Sequence, residues 1–109
     1  MEKHYDLRLA GTNTAGIMVR FWSSEKCKLE VIRGKFFYEP KKSDEYSVAL
    51  TAIFLENGWR DCFFTFPKEK HSYTSLNFIV KDKAHKTQYA VQLPLDGTSP
   101  KFTEMLYGE

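Results

Sequence analysis

The side chains in this sequence with the most chemical potential are three histidines and two cysteines: His4, His71, His85, Cys27 and Cys62. No two histidines form the HxH or HExxH spacing that directs two imidazoles at one metal ion. The cysteines lack the CxxC spacing of a zinc site. His71 and His85 fall in lysine-rich stretches, and we expect all three histidines to be exposed to solvent. The spacing therefore predicts no bound metal and no cofactor.

A nucleophilic site is suggested only by Cys62, which directly follows Asp61. Neighbouring residues of a strand point to opposite faces, so Asp61 cannot orient a histidine that Cys62 would use. The acidic pair Asp44-Glu45 lacks the spacing of a calcium loop. The glycines are isolated, which excludes a glycine-rich phosphate loop and a GxSxG nucleophile turn. We therefore expect a protein without catalytic activity.

The two cysteines and the N-terminal sequence indicate the cellular compartment in which we expect the protein. Cys27 and Cys62 fall in predicted strands, where reduced buried thiols are expected, although an oxidising compartment would allow one bridge. The N-terminal MEKHYDLRLAG has no apolar stretch of the kind found in signal peptides. No window approaches the roughly 18 apolar residues of a membrane span. These features predict a cytoplasmic protein without a membrane partner.

Composition indicates one globular domain covering residues 1–109, with 42% hydrophobic and 16% aromatic residues. A chain of this length can bury a core without disulfides. Net charge is +2, and basic residues are spread evenly over both halves of the chain. An even distribution argues against a nucleic-acid partner, because affinity for phosphate chains depends on clustered cations.

Apolar residues alternate with polar ones along most of the chain, which is the pattern of half-buried strands. At Arg33-Gly34 we favour a tight turn over a bulge inside one long strand. Seven or eight short strands with turn signals between them indicate an all-β fold, either an antiparallel sandwich (immunoglobulin-like or similar) or a small barrel. The predicted strands cover approximately 5–9, 17–22, 27–31, 36–38, 46–55, 59–66, 74–80 and 88–93.

The C-terminal TSPKFTEMLYGE is the one segment with helical spacing. Phe102, Met105 and Leu106 stand at i, i+3 and i+4, after Pro100 and before Gly108. This arrangement predicts a short amphipathic helix.

The segment FLENGWRDCFFTF, residues 54–66, predicts a β-hairpin around Asn57-Gly58, because that dipeptide favours a type I′ turn. The register of such a hairpin places Ile53, Leu55, Cys62, Phe64 and Phe66 on one face, which we assign to the core. The opposite face would carry residues that are too apolar to be left in water: Val48, Leu50, Ala52, Phe54, Trp59 and Phe63.

Three things could cover this second face: the predicted C-terminal helix, a loop such as residues 39–45, or another molecule. We interpret it as the binding surface of a protein-interaction module, such as an adaptor, an inhibitor or immunity protein, or an assembly subunit that binds another protein or itself. Aromatic anchors dominate such contacts. The candidate partner-binding residues are Trp59, Phe63, Phe54, Leu50 and Trp22.

Two other kinds of ligand stay open. A carbohydrate could stack on outward-facing aromatic rings, and the candidates are Trp22, Trp59, Tyr46 and Tyr73. Single-stranded nucleic acid binds aromatic platforms interleaved with cations, and VIRGKFFY is the one suggestive stretch, with Arg33, Lys35, Phe36 and Tyr38.

Overall fold

The computed structural model describes residues 3–39, 42–45, 51–68 and 71–108. They form nine strands, and within these ranges the chain contains no helix, hence none that could cross a lipid bilayer. The strands are β1 (Asp6–Thr12), β2 (Gly16–Ser23), β3 (Cys27–Tyr38), β4 (Lys42–Glu45), β5 (Thr51–Leu55), β6 (Gly58–Thr65), β7 (Tyr73–Asp82), β8 (Thr87–Pro94) and β9 (Lys101–Met105).

The strands form two antiparallel sheets that pack against each other. The small sheet has the order β1-β2-β6, and the large sheet has the order β4-β3-β7-β8-β9. Strand β5 also belongs to the large sheet, where it pairs with the first half of β3 while β4 pairs with the second half. The predicted all-β sandwich is therefore confirmed, and two separate sheets rule out a closed barrel.

The core lies between the sheets. It is built mainly from every second residue of the strands, as the alternation of apolar and polar residues predicts. Phe64 of the small sheet stacks on Phe78 of the large sheet with ring centroids 6.2 Å apart. Burying each such side chain contributes about 1.5–3 kcal/mol before conformational entropy is counted. Other fully enclosed members are Leu7, Ile17, Val19, Phe21, Leu29, Val31, Phe36, Ile53, Leu76, Val80 and Leu93.

The predicted hairpin at Asn57-Gly58 is wrong, because its two arms lie in different sheets. Strand β6 forms eight register pairs with β2, and β5 forms five with β3. Among the described residues, pairing the arms with each other could use only the five residues of β5, fewer than the two observed ladders together provide. Asn57 still adopts a left-handed φ of 49°, but its turn links two sheets. Residues 46–50 of the predicted strand lie outside the described residues.

The predicted turn at Arg33-Gly34 is also wrong. Strand β3 runs unbroken from Cys27 to Tyr38, and its pairing with β7 shifts register between Ile32 and Lys35. The irregularity is therefore the bulge that we considered second, with Arg33 at a left-handed φ of 56°. A bulge leaves a few residues of one strand without a partner, here between Ile32 and Lys35, and keeps both halves of the strand in the same sheet.

The predicted C-terminal helix is not formed, since residues 101–105 make strand β9. This strand pairs with the outer edge of β8. The ring of Phe102 packs edge-on against Tyr5 and Tyr89, with centroids 6.3 Å and 6.0 Å away. The open edge of β8 offers a complete set of main-chain partners, which an isolated helix of this length cannot match. Leu106, which the helix would have packed, is exposed.

Candidate functional site

Strands β2 and β6 align three pairs of outward-facing residues on the small sheet. Trp22 lies opposite Trp59, Arg20 opposite Asp61, and Met18 opposite Phe63. Side chains directly opposite each other on neighbouring antiparallel strands are about 4.5–5.5 Å apart at Cβ, so each pair forms one unit. We call these six residues the aromatic face: Met18, Arg20, Trp22, Trp59, Asp61 and Phe63.

Three aromatic rings of this face are open to solvent. Trp59 is 62% exposed, Phe63 41% and Trp22 38%. Neither intramolecular cover that the sequence suggested lies over them, because residues 42–45 pair with β3 and residues 101–105 pair with β8, both in the large sheet. Within the described ranges, the chain leaves this apolar surface uncovered.

The structure separates Phe54 from this face. Phe54 is 60% exposed, but it lies opposite Lys28 on the outer surface of the large sheet, with the Lys28 Nζ 5.7 Å from its ring centroid. The predicted grouping of Phe54 with Trp59 and Phe63 is therefore wrong, because it depended on the hairpin register. Leu50, the remaining candidate, lies outside the described residues.

An ion pair holds the centre of the aromatic face. The Arg20 guanidinium donates from Nε to Asp61 Oδ1 at 2.8 Å and from Nη2 to Oδ2 at 3.0 Å. These hydrogen bonds hold the pKa of Asp61 below its usual value and that of Arg20 above its own, with burial opposing both shifts. Both groups therefore stay charged near neutral pH.

Arg20 also restrains a neighbouring ring. Its guanidinium carbon lies 4.2 Å from the centroid of the Trp59 ring, in a cation–π contact. Trp59 is thus held against the sheet even though most of its surface faces solvent. A ring fixed before binding loses less side-chain entropy when a partner covers it.

A depression of about 520 Å³ lies at the tryptophan end of the face. Its lining includes two indole rings and several polar side chains, so it offers both stacking and hydrogen bonding. Its lining residues are Arg8, Arg20, Trp22, Ser23, Ser24, Asn57, Gly58 and Trp59.

The predicted exposure of the histidines is wrong for all three, because each one is partly buried against a carboxylate. His71 Nδ1 lies 2.7 Å from Asp44 Oδ2, which also accepts a hydrogen bond from Tyr73 Oη at 2.8 Å. Burial would raise the pKa of Asp44, but these hydrogen bonds and the charge of Lys68 outweigh it and lower the pKa.

The other two histidines meet at the opposite side of the fold in a cluster that the sequence did not reveal. His4 and His85 stack with ring centroids 3.7 Å apart, and both contact Glu25 Oε1, His85 through Nε2 at 3.3 Å. His85 Nδ1 lies 2.8 Å from Asp82 Oδ2 and 4.0 Å from Cys27 Sγ. We call these five residues the thiol–histidine cluster.

This cluster is not arranged as a Cys–His–Asp nucleophile. Such a site needs the thiol and the carboxylate on opposite imidazole nitrogens, whereas Cys27 and Asp82 both face Nδ1 of His85. Glu25 does face the opposite nitrogen, Nε2, but Cys27 Sγ lies 4.0 Å from Nδ1, which is beyond the reach of an activating hydrogen bond. Burial also raises the pKa of the Cys27 thiol, which keeps it protonated. Only knowledge of strand order could have identified the cluster, since its members come from three separate segments of the sequence: His4, residues 25–27 and residues 82–85.

Cys62, the cysteine considered first for chemistry, packs against the core. Burial raises the pKa of its thiol, and Asp61 beside it points outward to Arg20. The alternation argument that separated these two residues is therefore confirmed. Cys27 and Cys62 are both free thiols.

The stretch considered for nucleic acid is divided between the core and the surface of the large sheet. Phe36 is fully buried and cannot serve as a stacking platform. Arg33, Lys35 and Phe37 line a depression of about 350 Å³, together with Lys101 of β9. This surface carries cations, but only one aromatic ring of the stretch lines it.

Comparisons with protein-family models, with curated proteins and with solved structures find no match for this chain.

Proposed function

We propose that the protein is a non-catalytic interaction module whose aromatic face binds another protein, and that a second copy of this chain fits the face. The observation that carries the proposal is the exposure of Trp59, Phe63 and Trp22 on one sheet surface. Contiguous apolar surface of this kind is typical of interfaces, and Trp is enriched among the residues that dominate binding energy.

The pattern of charges supports a second copy as the partner. A twofold axis that runs along the strands between β2 and β6 would lay β2 of one copy over β6 of the other. Arg20 would then face the partner's Asp61, and Trp22 would face the partner's Trp59. An axis across the strands would instead bring two Arg20 side chains together. The face is thus its own charge complement in one orientation, as an isologous interface requires.

The size of the face sets the expected affinity. Three strands about 4.8 Å apart and eight residues of about 3.3 Å each give a surface of roughly 14 by 26 Å. This is smaller than the roughly 800 Å² per partner of a standard interface. We therefore expect a weak dimer, with a Kd on the order of micromolar to tens of micromolar.

Sedimentation velocity over a range of protein concentrations tests this proposal. We expect the wild type to dimerise, Trp59→Ala to weaken dimerisation about tenfold or more, and Phe63→Asp to abolish it. Phe54→Ala is the matched control, because Phe54 is equally exposed but lies on the other sheet. A wild type that stays monomeric at the highest concentration contradicts the proposal, as does equal weakening by Phe54→Ala.

Carbohydrate binding is the second candidate. It is favoured by the direct pairing of Trp22 with Trp59 beside the polar lining of the depression, where Ser24 and Asn57 could hydrogen-bond a sugar. Under this alternative the protein stays monomeric, and a glycan panel changes its tryptophan fluorescence. No change in fluorescence across the panel would remove this candidate.

Two further expectations are part of the proposal. The sandwich would be of the immunoglobulin-like kind, and the protein would work in the cytoplasm. The free thiols of Cys27 and Cys62 support a reducing compartment, where unpaired cysteines are the norm.

A further inference from the structure

We propose that Cys27, Asp82 and His85 form a binding site for a zinc ion, with Glu25 and His4 as the contacts that orient His85. The three inner residues offer one thiol sulfur, one carboxylate oxygen and one imidazole nitrogen, all within 4.8 Å of one another. Zinc accepts this combination of sulfur, nitrogen and oxygen ligands, with a tetrahedral arrangement in structural sites.

The distances indicate where the ion would lie. Asp82 Oδ1 accepts hydrogen bonds from the main-chain N–H groups of Ala84 and His85, at 3.1 Å and 3.4 Å. Asp82 Oδ2 is therefore left to face His85 Nδ1 at 2.8 Å, with Cys27 Sγ 4.0 Å from the same nitrogen. A zinc ion with bonds of about 2.0–2.3 Å would take the position between these three atoms.

The proton balance of binding follows from this geometry. Cys27 would release its thiol proton to solvent and bind as the thiolate, since the thiolate is the metal ligand. A neutral His85 that donates Nδ1–H to Asp82 would move this proton to Nε2 by exchange with solvent, and the bare Nδ1 would then bind zinc. Zinc thus replaces the hydrogen bond between His85 and Asp82 with two coordinate bonds.

The outer contacts resemble the second layer of a metal site. Glu25 Oε1 lies 3.3 Å from His85 Nε2, so it can accept the remaining N–H of a zinc-bound His85. A carboxylate in this position fixes the tautomer and orientation of a ligating imidazole. His4 stacks on His85 with an interplanar angle of 11°, which further restricts rotation of the ring.

The consequence of zinc binding would be structural. The three proposed ligands come from the start of β3, the end of β7 and the turn between β7 and β8, all in the large sheet. An ion here would fix that turn to the start of β3. Binding to the folded state alone would raise its stability by mass action.

The test uses chelator-treated full-length protein, titrated with zinc chloride in a calorimeter and with cobalt chloride in a spectrometer. We expect one zinc per chain, a rise in Tm on binding, and a sulfur-to-cobalt charge-transfer band from the Cys27 thiolate. Cys27→Ser should lose this band, and Glu25→Gln should weaken zinc binding roughly 10- to 100-fold, as changes in the second layer do.

His71→Gln is the matched control, because His71 also pairs with a carboxylate, Asp44, and stacks on a ring, Tyr38. We expect it to bind zinc like the wild type. Circular dichroism establishes that Cys27→Ser and Glu25→Gln are folded. The proposal is overturned if the wild type shows no saturable zinc binding, or if folded Cys27→Ser retains both the affinity and the cobalt band.

Discussion

Gly16 begins strand β2 directly against the main chain of β6. A Cβ atom at this position would lie 2.2 Å from the carbonyl oxygen of Phe64 and 2.9 Å from Cζ of Phe63. The first atom belongs to the backbone of a paired strand, so it cannot move aside without breaking the sheet. Glycine at this position therefore allows β2 and β6 to approach closely. The same close approach brings Met18 and Phe63 together at one end of the aromatic face.

We predict that Gly16→Ala destabilises the protein by about 1–3 kcal/mol or more, because overpacking forces backbone shifts of that cost. Urea denaturation measures the change in the free energy of unfolding. Gly11→Ala is the control, since a Cβ at Gly11 has no atom within 4 Å, and we expect it to change stability much less. Equal effects of the two substitutions would contradict the role given to Gly16.

Among the candidate residues, Trp22, Trp59 and Phe63 lie on the outward face that alternation along each strand predicts, whichever strand lies beside them. Phe54 was assigned to the wrong surface because its position depended on the partner of β5. The thiol–histidine cluster was missed for the same reason, since local sequence carries no information about which loops meet.

For the strands and turns too, features that depend on local sequence were predicted, whereas features that depend on which strands pair were not. The core faces of β2, β7 and β8 follow directly from period-two alternation. The Asn57-Gly58 turn and the C-terminal segment were misassigned because local turn and helix preferences were outweighed by sheet hydrogen bonding. Strand β3 shows this most clearly, since Arg33-Gly34 has the composition of a turn and yet lies inside one strand that pairs with three others.

Glycine substitutions can test the conformation of the bulge in β3. Arg33 has a left-handed φ of 56°, which costs a residue with a Cβ about 1 kcal/mol or more. We therefore predict that Arg33→Gly leaves stability unchanged or raises it by up to about 1 kcal/mol. Lys35→Gly, two positions along the same exposed stretch, should lower stability by about 0.5–1 kcal/mol, because glycine is unfavourable in a regular strand.

Thermal and urea unfolding of both glycine variants measure the difference. The opposite order, with Arg33→Gly the more destabilising of the two, would show that the bulge conformation is incorrect.

At the scale of the whole molecule, the sandwich buries one face of each sheet and leaves two outer surfaces with different character. The small sheet presents three aromatic rings around a single ion pair, and the large sheet presents cations and amides around a shallow depression. Among the described residues, Phe54 is the one exposed large apolar side chain of the large sheet. We therefore propose the aromatic face of the small sheet as the surface of association.

We propose that two copies associate face to face, with Arg20 of each copy opposite the partner's Asp61. Arg20→Asp gives a chain with two acidic residues at the centre of the face, and Asp61→Arg gives a chain with two basic ones. Each variant alone should repel its own copy. A mixture should form a heterodimer in which every acidic group faces a basic one, as complementary charges at an interface specify partners.

Sedimentation velocity of each variant alone and of the equimolar mixture is the most direct measurement. We expect each variant alone to be monomeric and the mixture to form a dimer. A mixture that remains monomeric while the wild type dimerises, or variants that each dimerise alone, would contradict this proposal.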